Sequence, residues 1–278
     1  MAYNNNPIGI FDSGIGGLTV ANAVTRLLHD ENIIYFGDTA HMPYGDKSIA
    51  LIKSYAVRIS KFLIEDQRCK AVVIACNTAS AAAYEYLRDE LKGQIPVINV
   101  IDPMIERVIE DSSIHNVGII ATKTTIASGV YQEKLSRRKP SLKFSALATP
   151  LLAPMIEEGF YNNSISKAVL ENYLKQPELK NIDALILACT HYPMIKHQIA
   201  SYYHESVQIL DSAEVVARKL KMILAKEGLE CEKDHVHQDQ FFVSDFTTSF
   251  EKTASHFYPK PISLIKTNIW DNNFDQQS

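Results

Sequence analysis

The amino-acid sequence predicts an α/β protein with two pseudo-symmetric domains, each a mostly parallel β-sheet flanked by helices, and with the candidate active site between them. Two observations support this prediction. Short apolar runs alternate with helical patterns along the chain, as they do in βαβ units. A unit of apolar run, cysteine and helical pattern also occurs twice, first as "AVVIAC" and later as "ALILAC".

The first hundred residues contain four predicted strands, which alternate with helical patterns. From Ile49 to Leu63, apolar residues recur at spacings of three and four, and this pattern predicts an amphipathic helix. The predicted strands are Pro7–Phe11, Asn32–Gly37, Ala71–Ala75 and Pro96–Val100. The other predicted helices here cover Leu18–Leu28 and Ser80–Leu91.

Strand patterns resume after this region, and their number exceeds what one small sheet needs. The further predicted strands are Asn116–Ala121, Lys143–Ala148, Asp183–Ala188, Val207–Leu210 and Gln240–Ser244. We therefore predict a discontinuous first domain of residues 1–99 and 211–278 and a second domain of residues 100–210. The chain would cross between them at Asn99–Met104 and Ile209–Glu214. The polar tail, residues 271–278, is predicted to be disordered.

Composition excludes several classes of function. The 278 residues carry a net charge of −4, which argues against a nucleic-acid partner. The one dense basic run, Leu135–Pro140, is interpreted as a solvated helix end. No apolar run approaches the roughly 20 residues of a membrane helix, and the N-terminus does not resemble a signal peptide. We therefore expect a cytoplasmic protein with no membrane partner and with four reduced cysteines.

Two of the four cysteines have a context that favours chemistry. Cys76 and Cys189 each follow a predicted strand, and residues just past parallel strands lie on the ligand-binding edge of a sheet. Each also precedes a predicted helix, whose N-terminus would lower the pKa of the thiol. Cys69 and Cys231 have neither feature. No pair has Cys-x-x-Cys spacing, so a zinc site built on cysteines is not expected.

Each of the two cysteines has a titratable companion in the sequence. His191 lies two residues after Cys189, and Asp12 ends the first predicted strand. Either pair could exchange a proton. Two simpler interpretations stay open, because His191 could merely begin a helix and Asp12 could merely cap the helix entered through Gly16 and Gly17.

The remaining polar groups at the strand ends suit a small, charged ligand. The loop "DSGIGGLTV" lacks a full G-x-G-x-x-G motif and a Walker lysine, so it favours carboxylate binding over nucleotide binding. Asn77, Thr78 and Thr190 flank the cysteines and offer hydrogen bonds. Glu157 suits an ammonium group, although periodicity allows Glu158 to be the inward carboxylate. Two thiols on opposite sides of such a ligand could invert a stereocentre with no cofactor and no metal.

Four segments carry a specific resemblance to a known family. "IGIFDSGIGGLTV", "GDTAHMPYGDKS", "VVIACNTASA" and "LACTHYPMI" resemble signature segments of the glutamate racemases, within the aspartate/glutamate racemase superfamily. The similarity extends from about Pro7 to about Ser212. It implies two α/β domains related by pseudo-twofold symmetry, and interconversion of L- and D-glutamate for peptidoglycan without pyridoxal phosphate or metal.

The resemblance also implies roles for individual residues. Cys76, assisted by Asp12, would act on D-glutamate, and Cys189, assisted by His191, would act on L-glutamate. The implied substrate-binding residues are Ser13, Pro43, Tyr44, Gly45, Asn77, Thr78, Thr125, Glu157 and Thr190. The chain departs from the family pattern at His41, where arginine is common, and at Ala121, where glycine is usual before Thr122.

Three alternatives remain at this point. One is a racemase of the same superfamily that acts on aspartate or on several amino acids, although the triplet "CTH" favours glutamate. Another is an amino-acid binding protein without catalysis, which would not need paired cysteines. A thiol hydrolase using Cys189 and His191 would leave Cys76 unexplained. The expected partner is a small-molecule substrate, and a homodimer is left open.

Overall fold

The structure, a computed structural model, describes residues 4–232, 238–246 and 248–270. The predicted tail at 271–278 lies outside the described residues. Within them the strands are β1 (Ile8–Asp12), β2 (Ile33–Gly37), β3 (Ala71–Ile74), β4 (Val97–Asn99), β5 (Asn116–Ala121), β6 (Lys143–Ala148), β7 (Ala184–Ala188), β8 (Gln208–Asp211), β9 (Gln240–Val243) and β10 (Leu264–Lys266).

Helices follow most of the strands. The α-helices are α1 (Leu18–Leu27), α2 (Ile49–Lys61), α3 (Asn77–Glu90), α4 (Ile101–Glu110), α5 (Lys123–Ala127), α6 (Val130–Arg138), α7 (Leu152–Glu157), α8 (Ser164–Leu174), α9 (Lys196–Tyr202), α10 (Ala213–Glu227) and α11 (Thr248–Phe257). Short 3-10 segments cover Tyr44–Asp46, Pro177–Leu179 and Tyr192–Ile195, and a π-helical turn at Phe62–Asp66 extends α2.

The strands form two sheets, and four neighbouring strands of the first sheet follow the same order as the four strands of the second. The first sheet has the order β10-β9-β2-β1-β3-β4, and the second has the order β6-β5-β7-β8. Every strand pair described is parallel. The order β2-β1-β3-β4 corresponds to β6-β5-β7-β8, so β3 and β7 occupy equivalent places. This correspondence confirms the predicted fold of two pseudo-symmetric parallel sheets.

Sequence accounts for the local structure of these elements. The residues of β1, β2, β3 and β7 are all buried, as expected for parallel strands covered by helices on both faces. Ser48 begins α2 because its side chain accepts a hydrogen bond from the Leu51 N–H. Gly228 ends α10 in the left-handed region, with φ of 65°.

Helix packing joins the two sheets. Helix α10, which follows the last strand of the second sheet, packs against α1 of the first sheet and against α4. One continuous cluster of buried apolar side chains extends from β1 through β5 and β7 to α10. The two sheets are therefore held together by a shared core.

The sequence-based elements agree with the structure except at two places. The predicted strands are present with ends that differ by no more than one residue, but β10 was not predicted. The helix expected directly after Cys189 is wrong, because Thr190 and His191 lead into the 3-10 turn Tyr192–Ile195 instead. The basic run after Leu135 does lie at the end of α6. The domain limits 1–99, 211–278 and 100–210 stay a prediction.

No helix in the described part of the chain is both long enough and apolar enough to span a membrane.

Candidate active site

The two candidate thiols lie at equivalent positions of the two sheets. Cys76 follows β3 and Cys189 follows β7, and both side chains are buried. Asp12 is the last residue of β1, the neighbour of β3 in the first sheet. Asp12 Oδ1 lies 3.5 Å from the hydroxyl of Thr190, the residue after Cys189, so the two sheets meet here. The fold thus brings together groups that are far apart in the sequence.

Cys76 is the N-cap of α3, and its environment opposes ionisation. Its Sγ accepts a hydrogen bond from the Ala79 N–H at 3.4 Å and lies 3.7 Å from Ser13 Oγ. The pKa of Cys76 is raised to about 12, mainly by burial and also by the charge of Asp12, although the hydrogen bonds with Ala79 and Ser13 act to lower it. The expectation that the helix N-terminus lowers this pKa overall is therefore wrong, because loss of solvation is the larger effect.

Cys189 belongs to a chain of three polar side chains. Its Sγ lies 3.6 Å from His191 Nδ1, and His191 Nε2 lies 2.7 Å from Glu157 Oε1. Burial alone would lower the pKa of His191, but Cys189 and Glu157 together raise it well above its usual value. The direction follows from the contacts, because the buried ring has an acidic group beside each nitrogen. His191 is therefore placed to hold a proton beside Cys189.

The structure distinguishes between the two candidate glutamates. Glu157, at the end of α7, points to His191, whereas Glu158 is exposed. The partner of Glu157 is thus a histidine of the same site, which the sequence did not predict. Gly16 packs closely against the ring of His191, since a Cβ at this position would lie 2.6 Å from His191 Cε1.

Asp12 has the structural role that the sequence left as an alternative to proton exchange. Its Oδ2 accepts hydrogen bonds from Gly17 N at 2.9 Å and Gly14 N at 3.3 Å, so it does stabilise the turn that enters α1. Its other oxygen is 3.5 Å from the Thr190 hydroxyl. Burial raises the pKa of Asp12, with the nearby charge of His191 acting in the opposite direction.

A cluster of threonines joins the two sheets beside Cys76. Thr78 Oγ1 lies 3.0 Å from Thr122 Oγ1 and 3.2 Å from Thr125 Oγ1. Thr122 and Thr125 lie 3.0 Å apart, and Thr122 caps α5. Thr78 and Thr125, both expected to bind substrate, are thus hydrogen-bonded to each other, and Thr122 gains a structural role.

Asn77 has a donor group without a partner. Its Oδ1 accepts a hydrogen bond from the Tyr131 hydroxyl at 2.8 Å. Its Nδ2 is buried and has no hydrogen-bond partner. Because an unpaired buried donor is costly, this amide is expected to bind an acceptor from a ligand.

Hydrogen bonds to both halves of the molecule hold the loop that contains Pro43, Tyr44 and Gly45. The Tyr44 hydroxyl donates to Asp38 Oδ2 at 2.6 Å. The Gly45 carbonyl accepts from Thr124 Oγ1 at 2.8 Å. Pro43 is exposed. The predicted binding loop therefore lies between the two halves.

Two residues at the site were not singled out from the sequence. Asp38 is fully buried and also contacts His41 Nδ1 at 2.9 Å and Ser244 Oγ at 2.8 Å. Its position directly after β2 is the same signal that identified Asp12. Tyr131 has no such signal, because its contact with Asn77 depends on how α6 packs against the first sheet.

The fold and the site define a class: a two-domain α/β protein with paired buried thiols where the carboxyl ends of two parallel sheets meet. Residues 13–220 match the model of the Asp/Glu/Hydantoin racemase family. The chain therefore belongs to this family, and it is an isomerase.

Individual relatives agree with this assignment. The glutamate racemase of Neisseria meningitidis serogroup C is 39% identical over 260 residues, which cover 94% of this chain and 95% of the relative. The glutamate racemase of Chlorobaculum tepidum is 40% identical over 249 residues, covering 90% and 91%. The crystal structure of the Francisella tularensis glutamate racemase in complex with D-glutamate matches with a TM-score of 0.89 and 38% identity, covering 96% of this chain and 99% of the other.

Proposed function

We propose that this protein interconverts L- and D-glutamate by a cofactor-independent two-base mechanism and supplies D-glutamate for peptidoglycan synthesis in the cytoplasm. Relatives with close to 40% identity carry the name glutamate racemase. The similar structure from Francisella tularensis holds D-glutamate. These likenesses support glutamate as the substrate of this chain.

One observation carries the mechanism: two buried thiols follow equivalent strands, and each has its own titratable neighbours. In the proposed reaction the thiolate of Cys76 removes the α-proton of D-glutamate, which leaves a planar carbanion. The Cys189 thiol then donates its proton to the opposite face and becomes a thiolate, so that L-glutamate is formed. The reverse reaction uses the same groups in exchanged roles. One proton leaves carbon and one returns, so no oxidant or reductant is needed.

The neighbouring side chains have distinct tasks in this proposal. Asp12 accepts the proton that Cys76 must lose, because the high pKa of the buried thiol makes that loss costly. His191, held by Glu157, supports the thiolate of Cys189 as a cation. The unpaired Nδ2 of Asn77 donates to a substrate carboxylate. The other proposed binding residues are Ser13, Pro43, Tyr44, Gly45, Thr78, Thr125, Glu157 and Thr190.

Substitution of the cysteines tests the mechanism. Cys76→Ser and Cys189→Ser are each expected to lower racemisation of glutamate by about 10²–10⁴-fold, the usual size of a general acid/base contribution. Cys231→Ser and Cys69→Ser are the matched controls and are expected to keep turnover. Racemisation is followed by circular dichroism, and exchange of the α-hydrogen is followed in deuterated water. Near-normal turnover by either of the first two variants would refute the two-thiol mechanism.

Aspartate is the second candidate substrate, and a rate comparison distinguishes it from glutamate. Aspartate is shorter by one methylene, so it cannot place its α-carbon between the thiols and also satisfy the donors for its distal carboxylate. Donors left unpaired in a buried site cost more than a missing methylene alone. We expect glutamate to be preferred by at least ~10³ in kcat/KM. Comparable rates of α-hydrogen exchange for both amino acids would instead indicate a racemase of broad specificity.

A further inference from the structure

Tyr131 reaches from the second half of the molecule to the first residue of α3. It lies on α6, and its hydroxyl is 2.8 Å from Oδ1 of Asn77, the residue next to Cys76. Tyr131 is 5% exposed and Asn77 is 2% exposed. The hydrogen bond is therefore shielded from water and joins an element of the second half to the edge of the candidate site.

The direction of this hydrogen bond follows from the partners available. A tyrosine hydroxyl can donate or accept, and a side-chain amide has both a donor end and an acceptor end. If Asn77 donated to Tyr131, the buried hydroxyl proton would need another acceptor. None contacts it among the residues that the structure describes. The hydroxyl therefore donates to Oδ1, and the NH₂ group is turned away from Tyr131.

The consequence is a donor held in one orientation. Asn77 Nδ2 is buried without a partner, and a group in that state is costly unless a ligand completes it. We propose that Tyr131 is a positioning residue, which fixes the Asn77 amide so that its NH₂ group is presented to a carboxylate of the substrate. This inference rests on the proposed function and extends it to a residue outside the substrate-binding set.

A second contact on α6 makes this arrangement depend on the packing of the two halves. Lys134, one turn after Tyr131, contacts Asp102 of α4 and lies 3.3 Å from Glu85 of α3. Both side chains on this face of α6 thus approach the helix that begins at Asn77. The amide is oriented only when α6 and α3 are packed as they are here.

Tyr131→Phe tests the proposal because it keeps the ring and removes only the hydroxyl. The amide can then rotate, and the carboxylate loses a fixed donor. A hydrogen bond to a charged group contributes about 1.5–3 kcal/mol, so we expect the KM for both enantiomers of glutamate to rise about tenfold, the lower end of that range. The kcat is expected to change by less than about threefold, since the contact is equal in ground and transition states. Tyr86→Phe, an exposed tyrosine of α3, is the matched control.

Asn77→Asp distinguishes two roles of the Tyr131 hydrogen bond: orienting the Asn77 amide toward the substrate, or only joining α6 to α3. The carboxylate still accepts the Tyr131 hydrogen bond but offers no donor to the substrate. Our proposal predicts a KM raised by at least about 100-fold, because a donor is replaced by a like charge. A clamp between α3 and α6 predicts a KM near that of the unaltered protein, and that result would overturn the proposal.

The combined variants complete the test. Tyr131→Phe is expected to have no further effect on KM in an Asn77→Ala background, since both changes remove the same oriented donor. An unchanged KM in Tyr131→Phe alone would also overturn the proposal. Should Tyr131→Phe fail to fold, an unchanged KM in Asn77→Asp would still overturn the proposal, because an amide that does not bind the substrate needs no orientation by Tyr131. Failure of the proposed function would appear differently, as absence of glutamate racemisation by the unaltered protein.

Discussion

Oε1 of Glu157 lies 2.7 Å from Nε2 of His191, and the other ring nitrogen of this histidine lies 3.6 Å from the Cys189 sulfur. The arrangement resembles a carboxylate that orients a histidine beside a nucleophile. Glu157 is provided by α7 and His191 by the loop after β7. The pKa of His191 is raised through both neighbours, with burial acting against them. Glu157 therefore favours the protonated form of His191.

Replacement of Glu157 by Gln should lower the pKa of His191, because the imidazolium loses the anion at Nε2 while burial stays the same. We expect kcat to fall about 10–100-fold with L-glutamate as substrate, less than the usual effect of removing a general acid or base, because Glu157 acts through His191. NMR titration of the imidazole and steady-state kinetics check these two results.

The equilibrium between L- and D-glutamate limits how a variant can affect the two directions of racemisation. L- and D-glutamate have equal free energies, so kcat/KM must remain equal in both directions for every variant. A selective effect on the Cys189 side therefore appears in kcat and KM separately and in the isotope effect with α-deuterated substrate. Glu158→Gln is the control, since Glu158 is exposed. An unchanged imidazole titration in Glu157→Gln would contradict the assignment.

Alkylation of Cys76 should depend strongly on pH. Burial raises the pKa of this thiol to about 12, with the charge of Asp12 acting in the same direction. Only the thiolate reacts, and far below the pKa its fraction increases about tenfold per pH unit. We expect the rate with iodoacetamide to rise about 100-fold from pH 7 to pH 9 without a plateau, measured by mass spectrometry of the Cys76 peptide.

The same experiment tests the simpler expectation from the sequence. A thiol whose pKa is set by a helix N-terminus would reach its maximum rate near neutral pH. Ala79→Pro is not a suitable probe, because it would disturb α3 itself. Addition of D-glutamate is a better control, since a substrate that covers the site should protect Cys76 but leave Cys231 reactive.

The fold was predictable because its signals are local. Parallel strands buried on both faces appear as continuous apolar runs, and β3 and β7 also share a following cysteine. The strand β10 was missed since it has only three residues, two of them exposed. Its place in the sheet depends on pairing with β9 rather than on an apolar pattern of its own.

The site was predictable only in part, for a physical reason. Asp12 ends β1, Cys189 directly follows β7 and Cys76 lies two residues after β3, so the geometry of parallel sheets brings all three to carboxyl edges. Tyr131 reaches its partner through packing between helices, which no local pattern records. The pKa of Cys76 was predicted in the wrong direction because burial, a property of the whole fold, outweighs the helix N-terminus.

Lys70 and Glu31 form a buried ion pair whose loss should destabilise the fold. Their charged atoms are 2.5 Å apart, and the side chains are 0% and 4% exposed. Glu31 also accepts a hydrogen bond from the Cys231 N–H at 2.9 Å. Lys70→Met leaves this carboxylate buried without its cation, which typically costs about 3–5 kcal/mol. Urea denaturation would measure the change in the free energy of unfolding.

A half-exposed ion pair provides the control for this measurement. Lys219 and Glu106 are 2.8 Å apart with side chains 32% and 30% exposed, and Lys219→Met should cost no more than about 1 kcal/mol. Lys70 precedes β3 and thus lies at the edge of the sheet opposite Cys76, so kcat of the folded Lys70→Met protein should be unaffected. A similar loss in the free energy of unfolding for the two variants would show that the buried ion pair stabilises the fold no more than the partly exposed one.

Gly16→Ala should disable the His191 side of the site through one methyl group. A Cβ at Gly16 would lie 2.6 Å from both His191 Cε1 and Thr190 Oγ1. Real Cβ atoms do not approach so closely, and these neighbours are held in place by Glu157 and by the turn after β7. His191 must therefore shift, and a displacement of the order of 1 Å in a catalytic group can cost about 100-fold in rate. Gly14→Ala is the matched control, because the nearest atoms to its Cβ belong to the flexible side chain of Met42, the closest being Sδ at 3.4 Å, an ordinary contact. We expect Gly14→Ala to keep most of the glutamate racemase activity and Gly16→Ala to lose about 100-fold in kcat while both fold. Equal activities of the two alanine variants would mean that the site adjusts to the methyl group, and the tight placement of His191 would then not be needed for turnover.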